Sequence, residues 1–307
     1  MKSSQTIRCL NCHSKLKNKI FNVPKITFFQ CSSCQLIQIK PPFGRYQIRS
    51  LYSFADNKTH FLAKNPQARF VLRNPIGDTL HRIYLNWYGV SRKKKIEKLK
   101  SLGSLLDVGC GNGGFLKIFD KHKWQLFGLE INKSQAQVAQ KLRKVKIFTK
   151  TVEDFKFTPN YFDVVTLWHV FEHLENPRKI LVKLHRILKN NGYLLIEVPN
   201  GNSIYRKIFN DHWQLLMPPE HLFFWTNKSL KLIINSSGFR IIQVSYPGIL
   251  SFSPISSFAN YLRAIGVDSN LSIIVALLFS PIFLVINMLS FSTRDNLQII
   301  AQKNSNS

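Results

Sequence analysis

The chain has 307 residues, 45% of them hydrophobic, and its 43 Lys and Arg against 16 Asp and Glu give a formal charge of +27. This excludes a chain too short or too polar to bury a core, and it leaves room for a full α/β unit with one or two small modules. The charge predicts attraction to phosphate-rich surfaces, either anionic lipid or nucleic acid. General lysine usage is the competing explanation, because the basic residues are spread along the chain and only SRKKKIEKLK (91–100) forms a dense run.

The N-terminal MKSSQTIRC lacks an apolar stretch, so no signal peptide is expected and the chain is read as starting in the cytoplasm. Cys9, Cys12, Cys31 and Cys34 form two C-x2-C pairs at the spacing of a structural zinc ribbon, placed at residues 1–44. A reducing compartment favours metal over disulfides, and KIFNVPKITFFQ (19–30) supplies strands around a core too small to fold without the ion. Four thiolates leave no open coordination position, so the zinc is expected to hold structure and not to activate water. Pro41, Pro42 and Gly44 mark a boundary. Residues 45–104 read as a helical linker or lid, with Tyr46, Tyr52, Phe54 and Phe61 as lid candidates and Ile96 and Leu99 on the inner face of the basic run.

The stretch LLDVGCGNGGFL (105–116) joins a buried strand to a glycine-rich turn and a helix start. Gly109, Gly111 and Gly113 let backbone N–H groups approach a ligand, and Asp107 adds a carboxylate at the strand's end. Gly109, Gly111 and Gly114 also satisfy G-x-G-x-x-G, so the glycines alone do not choose the cofactor. A second strand, LFGLE (126–130), ends in Glu130, which can hold two ribose hydroxyls. A third, KIFTKTVEDF (146–155), ends near Val152, Glu153 and Asp154, and a fourth runs into the polar loop of Trp168, His169, Glu172 and His173. Asn176 and Pro177 open a helix expected to stop at Gly192, before a fifth strand at 193–199. Thr226 to Ser237 reads as another helix, 239–244 as the sixth strand and NLQIIAQK (296–303) as the seventh. Strand and helix alternation calls for a parallel sheet covered on both faces.

Between the last two strands, residues 269–293 carry no charge. They are long enough to span a bilayer, but a span would carry the seventh strand away from its sheet. With Pro281 at mid-segment, two half-helices that dip in and return are favoured, making 249–294 a monotopic, membrane-associating hairpin insertion. A buried dimer or lid insert and a true span are the alternatives.

The motifs DVGCGNG, GLEIN, TVEDF, HVFEHLENP, YLLIEVPN and EHLFFWTNKSLKLIINSSGF occur in an order that resembles the class I S-adenosylmethionine (SAM)-dependent methyltransferases, nearest the ubiquinone-biosynthesis O-methyltransferase-like group. The resemblance covers roughly residues 100–248 and 295–303. It implies a Rossmann-like α/β fold with a seven-stranded sheet over 105–303, preceded by the small ribbon and interrupted by the apolar insertion. It also implies that Asp107, Gly109, Gly111 and Gly113 wrap the methionine and ribose of SAM, that Glu130 takes the ribose hydroxyls, and that Val152, Glu153 and Asp154 flank the adenine, with Trp168 nearby.

Methyl transfer is an in-line displacement, so the protein must position the acceptor and, for an oxygen acceptor, remove its proton. Histidine suits that role, which makes His221 the first candidate base, with His169, His173 and Glu172 beside it; Glu with His is also a possible cation site. The leading expectation is transfer to a hydroxyl or carbon of a small-molecule or lipid-linked acceptor, such as a glycan or quinol, by a cytoplasmic protein peripheral to an anionic membrane. The other is an RNA methyltransferase that grips phosphates with its ribbon and its charge. The oligomeric state is not legible.

Overall fold

The computed structural model describes residues 7–16, 18–23, 26–39, 75–218 and 220–304; Pro41, Pro42, Gly44 and the lid candidates Tyr46, Tyr52, Phe54 and Phe61 lie outside the described residues. Three short strands come first, β1 (Asn18–Val23), β2 (Ile26–Gln30) and β3 (Ile37–Ile39), in an antiparallel meander. A 25-residue helix, α1 (Pro75–Leu99), leads to β4 (Gly103–Val108), α2 (Gly114–Lys117), β5 (Trp124–Leu129), α3 (Lys133–Gln140) and β6 (Val145–Phe148). Then follow β7 (Phe162–Trp168), α4 (Pro177–Ile187), β8 (Leu188–Pro199), α5 (Ile204–Phe209), β9 (Phe223–Phe224), α6 (Asn227–Asn235) and β10 (Phe239–Ser245). Helices α7 (Ser253–Ala264), α8 (Ser269–Leu278) and α9 (Ser280–Leu289) precede β11 (Asn296–Lys303).

Seven strands form one sheet in the order β10-β11-β8-β7-β4-β5-β6, parallel except for β11, which runs antiparallel between β8 and β10. Every residue of β7 is buried, as a central parallel strand covered on both faces requires. Local chemistry sets the helix ends: Asn132 caps α3 by accepting from the Gln135 amide, and Thr226 and Ser229 close a reciprocal capping box on α6. Helix α4 stops at Ile187, five residues before the expected glycine stop, because Leu188 is already extended and β8 begins there. Asn191, at φ 59, then makes a left-handed turn among exposed residues.

The cysteine-bearing strands are not a separate bead. Strand β3 pairs with β9, so that Ile37 faces Phe224 and Gln38 faces Phe223 in a four-stranded sheet. Phe21 and Phe28 pack on Phe224 at 5.9 and 5.7 Å between ring centroids, inside a core continuous with Val165 and Trp225.

The insertion leaves after β10 and rejoins at β11. Asn296 pairs with Pro199 at the end of β8, and Gln298 pairs with Ser245 at the end of β10. The insertion therefore stands at the carboxyl edge of the parallel strands, where open α/β sheets bind ligands. Helices α8 and α9 are bent by 49° and do not fold back on each other. The expected there-and-back hairpin is thus a kinked pair, because Pro281 occupies the first turn of α9, where its missing N–H costs no hydrogen bond. No single helix among the described residues is long and apolar enough to cross a membrane.

This pair buries a mixed face, Ala276 and Phe283 with Ser272 and Asn287, and turns most of its large aliphatic side chains outward. Ser272 and Asn287 are buried, while Leu278 is 73% and Leu289 81% exposed, together with Ile274, Ile282, Val285 and Met288. The inner face is pinned by Tyr205 of α5, whose hydroxyl donates to the Phe283 carbonyl (3.0 Å) and to Asn287 Oδ1 (3.1 Å), and by Asn287 Nδ2 donating to the Ile249 carbonyl.

Candidate cofactor and acceptor site

The turn after β4 is built for close approach. Gly109 sits at φ 71 with Val170 against it, so that a Cβ would lie 2.4 Å from Val170 Cγ2; Gly111, at φ 55, has open space where a Cβ would point. Glu130, just past β5, accepts from the Gly111 amide at 2.8 Å and from the Asn132 amide at 2.7 Å, one bond to each carboxylate oxygen. Each oxygen keeps a lone pair for a ligand hydroxyl. A cavity of about 410 Å³ opens here, walled among others by Gly109, Glu130, Val152, Val170, His173 and Glu220. Val152 is buried in that wall, whereas Glu153 and Asp154 stand exposed at its rim, with Asp154 accepting from the Thr151 hydroxyl. Gly113 supports the turn from behind, packed on Leu142 and Ala139.

Two expected cofactor residues lie behind the wall. Asp107 is buried and accepts from the Thr166 hydroxyl at 2.6 Å; burial pushes its carboxyl up to about 7, against that hydrogen bond and the charge of Arg92. Trp168 is buried with the Arg92 guanidinium stacked 4.4 Å from its ring centroid.

The wall is acidic in a basic protein. Of the 16 acidic residues, Glu130, Glu153, Asp154, Glu175 and Glu220 line the cavity, and Lys150 is its single Lys or Arg among the described residues. Such a cleft favours a cationic ligand and disfavours phosphate close to the reacting centre.

The four acceptor-side candidates form one cluster with unequal roles. His169, at φ 55, lies between two fully buried carboxylates, with Nε2 3.2 Å from Glu197 and Nδ1 3.6 Å from Glu172. Two buried carboxylates beside one ring favour its charged form, through the 3.2 Å contact of Nε2 with Glu197 and the longer approach of Nδ1 to Glu172. Burial opposes this charge, but Glu172 and Glu197 outweigh it and lift the ring to about 9. While these contacts stand the ring favours its charged form, which carries no lone pair for an acceptor proton. His221 is buried, its Nδ1–H donating to the Leu215 carbonyl at 2.7 Å; burial, then the neighbouring His173, push it down to about 3. It is neutral but does not line the cavity. His173 does line the cavity, its Nδ1–H donating to the Glu220 carbonyl at 2.8 Å, which leaves Nε2 as the basic nitrogen. Glu172, His173 and His221 offer ligand atoms within 4.8 Å of one another, and both histidines are oriented by carbonyls in the manner of metal ligands, so the trio could hold a cation.

Glu197, Arg92 and Tyr88 were not singled out by the sequence. Glu197 accepts from Arg92 (2.6 Å), Tyr88 (2.8 Å) and Gln298 (2.8 Å), and although burial opposes its charge, Arg92 holds the carboxyl far below the usual range. Its signal was a lone acid in the apolar run YLLIEVP.

The cysteines Cys9, Cys12, Cys31 and Cys34 bring their sulfur atoms within 4.8 Å of one another, with Cys9–Cys34 at 3.5 Å and Cys12–Cys31 at 3.4 Å. A tetrahedral zinc with bonds of about 2.3 Å needs sulfurs about 3.8 Å apart, so the set fits that ion. Hydrogen bonding from Cys34 lowers Cys9 to about 5 against burial, as expected where one thiolate shares its neighbour's proton.

Comparison with known proteins accords with this geometry. A family profile described as a methyltransferase domain matches residues 75–244. An uncharacterized protein of Methanocaldococcus jannaschii is 31% identical over 162 residues, 52% of this chain and 69% of that one. The ubiquinone biosynthesis O-methyltransferase of Yersinia enterocolitica is 30% identical over 106 residues, 32% of this chain and 43% of that one. A methyltransferase structure from Galdieria sulphuraria, 13% identical, shares the fold with a TM-score of 0.50 over 73% of this chain and 86% of that one. A glycine turn facing open space, a ribose-ready carboxylate and the matched profile together place the chain in the methyltransferase-domain family, as a SAM-dependent methyltransferase.

Proposed function

We propose that the protein methylates a hydroxyl, or a nucleophilic carbon, of a small-molecule or lipid-linked acceptor such as a glycan or quinol at an anionic membrane surface. The observation that carries this reading is the outer face of α8–α9: Ser272, Ala276, Phe283 and Asn287 are buried, large aliphatic side chains face outward, and the pair stands at the sheet edge that holds the cavity. A helix in water turns the other way. An apolar face beside the active edge suits an acceptor that stays in lipid, and the surplus of Lys and Arg suits anionic headgroups. Identity to ubiquinone biosynthesis O-methyltransferases over about a third of the chain favours oxygen as the acceptor atom.

In this reading Gly111 and Glu130 hold SAM, which supplies an electrophilic methyl group when bound. The Val152 side of the cavity receives the adenine, with Glu153 and Asp154 at its rim. His173 Nε2 takes the proton of the acceptor hydroxyl, and the imidazolium of His169 fixes Glu172 and the end of β7. The acidic wall counts against an RNA backbone at this point. The test is incubation of the full chain with methyl-labelled SAM and either a total lipid extract or total RNA. Label in the organic phase that disappears in His173→Ala is the expected result; label in RNA alone would overturn the reading.

A further inference from the structure

We infer that the four-cysteine unit is the brace of the acceptor site: by lending β3 as a strand partner to β9, it holds residues 220–224, and through them Glu172 and His173, in place. Strand β9 has two residues, too few to persist unsupported. On one side, Ile37 and Gln38 pair with Phe224 and Phe223, and the Ile39 amide donates to the Leu222 carbonyl at 3.1 Å. From the same segment the Leu222 amide donates to the Glu172 carbonyl at 3.0 Å, and the Glu220 carbonyl accepts from His173 Nδ1 at 2.8 Å. Three backbone links thus tie the cysteine unit to 222–224, and two hydrogen bonds carry on from 220–222 to the cavity wall.

Side chains follow the same route. Phe224 sits against Phe21 and Phe28, and the ring of His221 packs on Phe224 at 5.8 Å and on His173 at 4.8 Å. The first cysteine turn is latched independently, with Asn11 Nδ2 donating to the Ser229 carbonyl and Arg178 to the Asn11 carbonyl. Trp225, in contrast, is held from the methyltransferase side, its carbonyl accepting from the Gly201 amide at 2.8 Å. The brace therefore ends between Phe224 and Trp225. So small a unit orders itself through its metal, since thiolate ligation supplies the folding free energy that a short apolar core lacks. Loading of the four thiols then decides whether the acceptor wall is formed, while the SAM cradle on β4 and β5 stands apart.

This inference rests on the reading that His173 and Glu220 face the acceptor, but its test reads the bracing itself and does not require an acceptor. The full chain is compared zinc-loaded and chelator-stripped, by hydrogen exchange and by calorimetry with SAM. Stripping is expected to speed exchange at 171–173 and 220–224 by about tenfold or more, to leave 105–130 unchanged, and to alter the SAM Kd by less than about twofold. Ile39→Pro removes the amide that donates to Leu222; it is expected to keep one zinc per chain, by metal analysis, and to show the same local loss of protection. Unchanged exchange at 220–224 in the stripped protein or in Ile39→Pro would overturn the inference, and so would acceleration spread equally over 105–130.

Discussion

Arg92 and Glu197 meet at 2.6 Å beneath the cavity floor, and that contact ties the long helix α1 to the strand that ends beside the active edge. Tyr88 and Gln298 bond the same carboxylate, and Lys95 bonds Gln298, so α1, β8 and β11 converge on one buried charge. Because Arg92 also stacks on Trp168 and Tyr88, its loss removes packing as well as charge.

Breaking this pair from one side strands the other charge. Arg92→Ala is expected to destabilise by about 3–5 kcal/mol, whereas Arg92→Met with Glu197→Gln should cost clearly less than the single change. Urea denaturation of the three proteins checks this; a double variant no better than Arg92→Ala would show that the pair is not the source of the loss.

The His169 imidazolium makes stability fall toward alkaline pH. Its folded-state value of about 9 lies above the ordinary 6.5, so its contribution is complete below about pH 6.5 and is lost as pH rises through about 9. Melting temperatures from pH 6 to 10 should decline across that window in the wild type and decline less in His169→Asn, a residue that tolerates the same left-handed backbone.

Glu130 and the acidic wall should make cofactor binding sensitive to charge. Glu130→Ala is expected to weaken SAM binding by about 10- to 100-fold, since it removes an ionised partner of two amides and of the ligand. Added salt should weaken SAM, with its sulfonium, more than the neutral-sulfur product S-adenosylhomocysteine. Calorimetry with both ligands at low and high salt tests this, and an equal salt response would deny the wall any role in selecting charge.

The outward face of α8–α9 should carry vesicle binding. The wild-type chain is expected to sediment with vesicles containing phosphatidylserine, and Leu278→Asp with Leu289→Asp to abolish this with the melting temperature held, because both side chains touch little protein. Accessibility labelling should find Asp268 and Asn304 on the same side of the bilayer. If the wild type ignored vesicles but ran as a dimer that the aspartates dissolved, the face would belong to a second copy.

The sheet, the glycine turn and the four-cysteine set were legible because each is written locally, in apolar runs with turn residues or in a fixed ligand spacing. The wiring of the acceptor wall was not. That β3 pairs with β9, nearly two hundred residues later, follows from packing of Phe21 and Phe28 on Phe224, which periodicity does not encode. His221 reads like His173 in sequence, and only their partners, Leu215 inside and Glu220 at the wall, separate a buried ring from one at the cavity. The bend in the insertion was anticipated from Pro281, but not its angle, which depends on where Tyr205 and Asn287 pin the inner face.

Strand β11 fills a slot between β8 and β10, yet it is made after both of them and after the whole insertion. During synthesis the half-built sheet must hold that slot open while the whole insertion, residues 246–295, emerges from the ribosome, and two apolar edges stay unpaired for as long. Closure of the fold is thereby placed downstream of the moment at which α8 and α9 first meet their surroundings. On the proposed membrane reading, an oily segment that settles on a bilayer before β11 arrives would be withdrawn from the exposed strand edges it could otherwise foul, and docking would then act as a safeguard in biogenesis as well as a route to substrate.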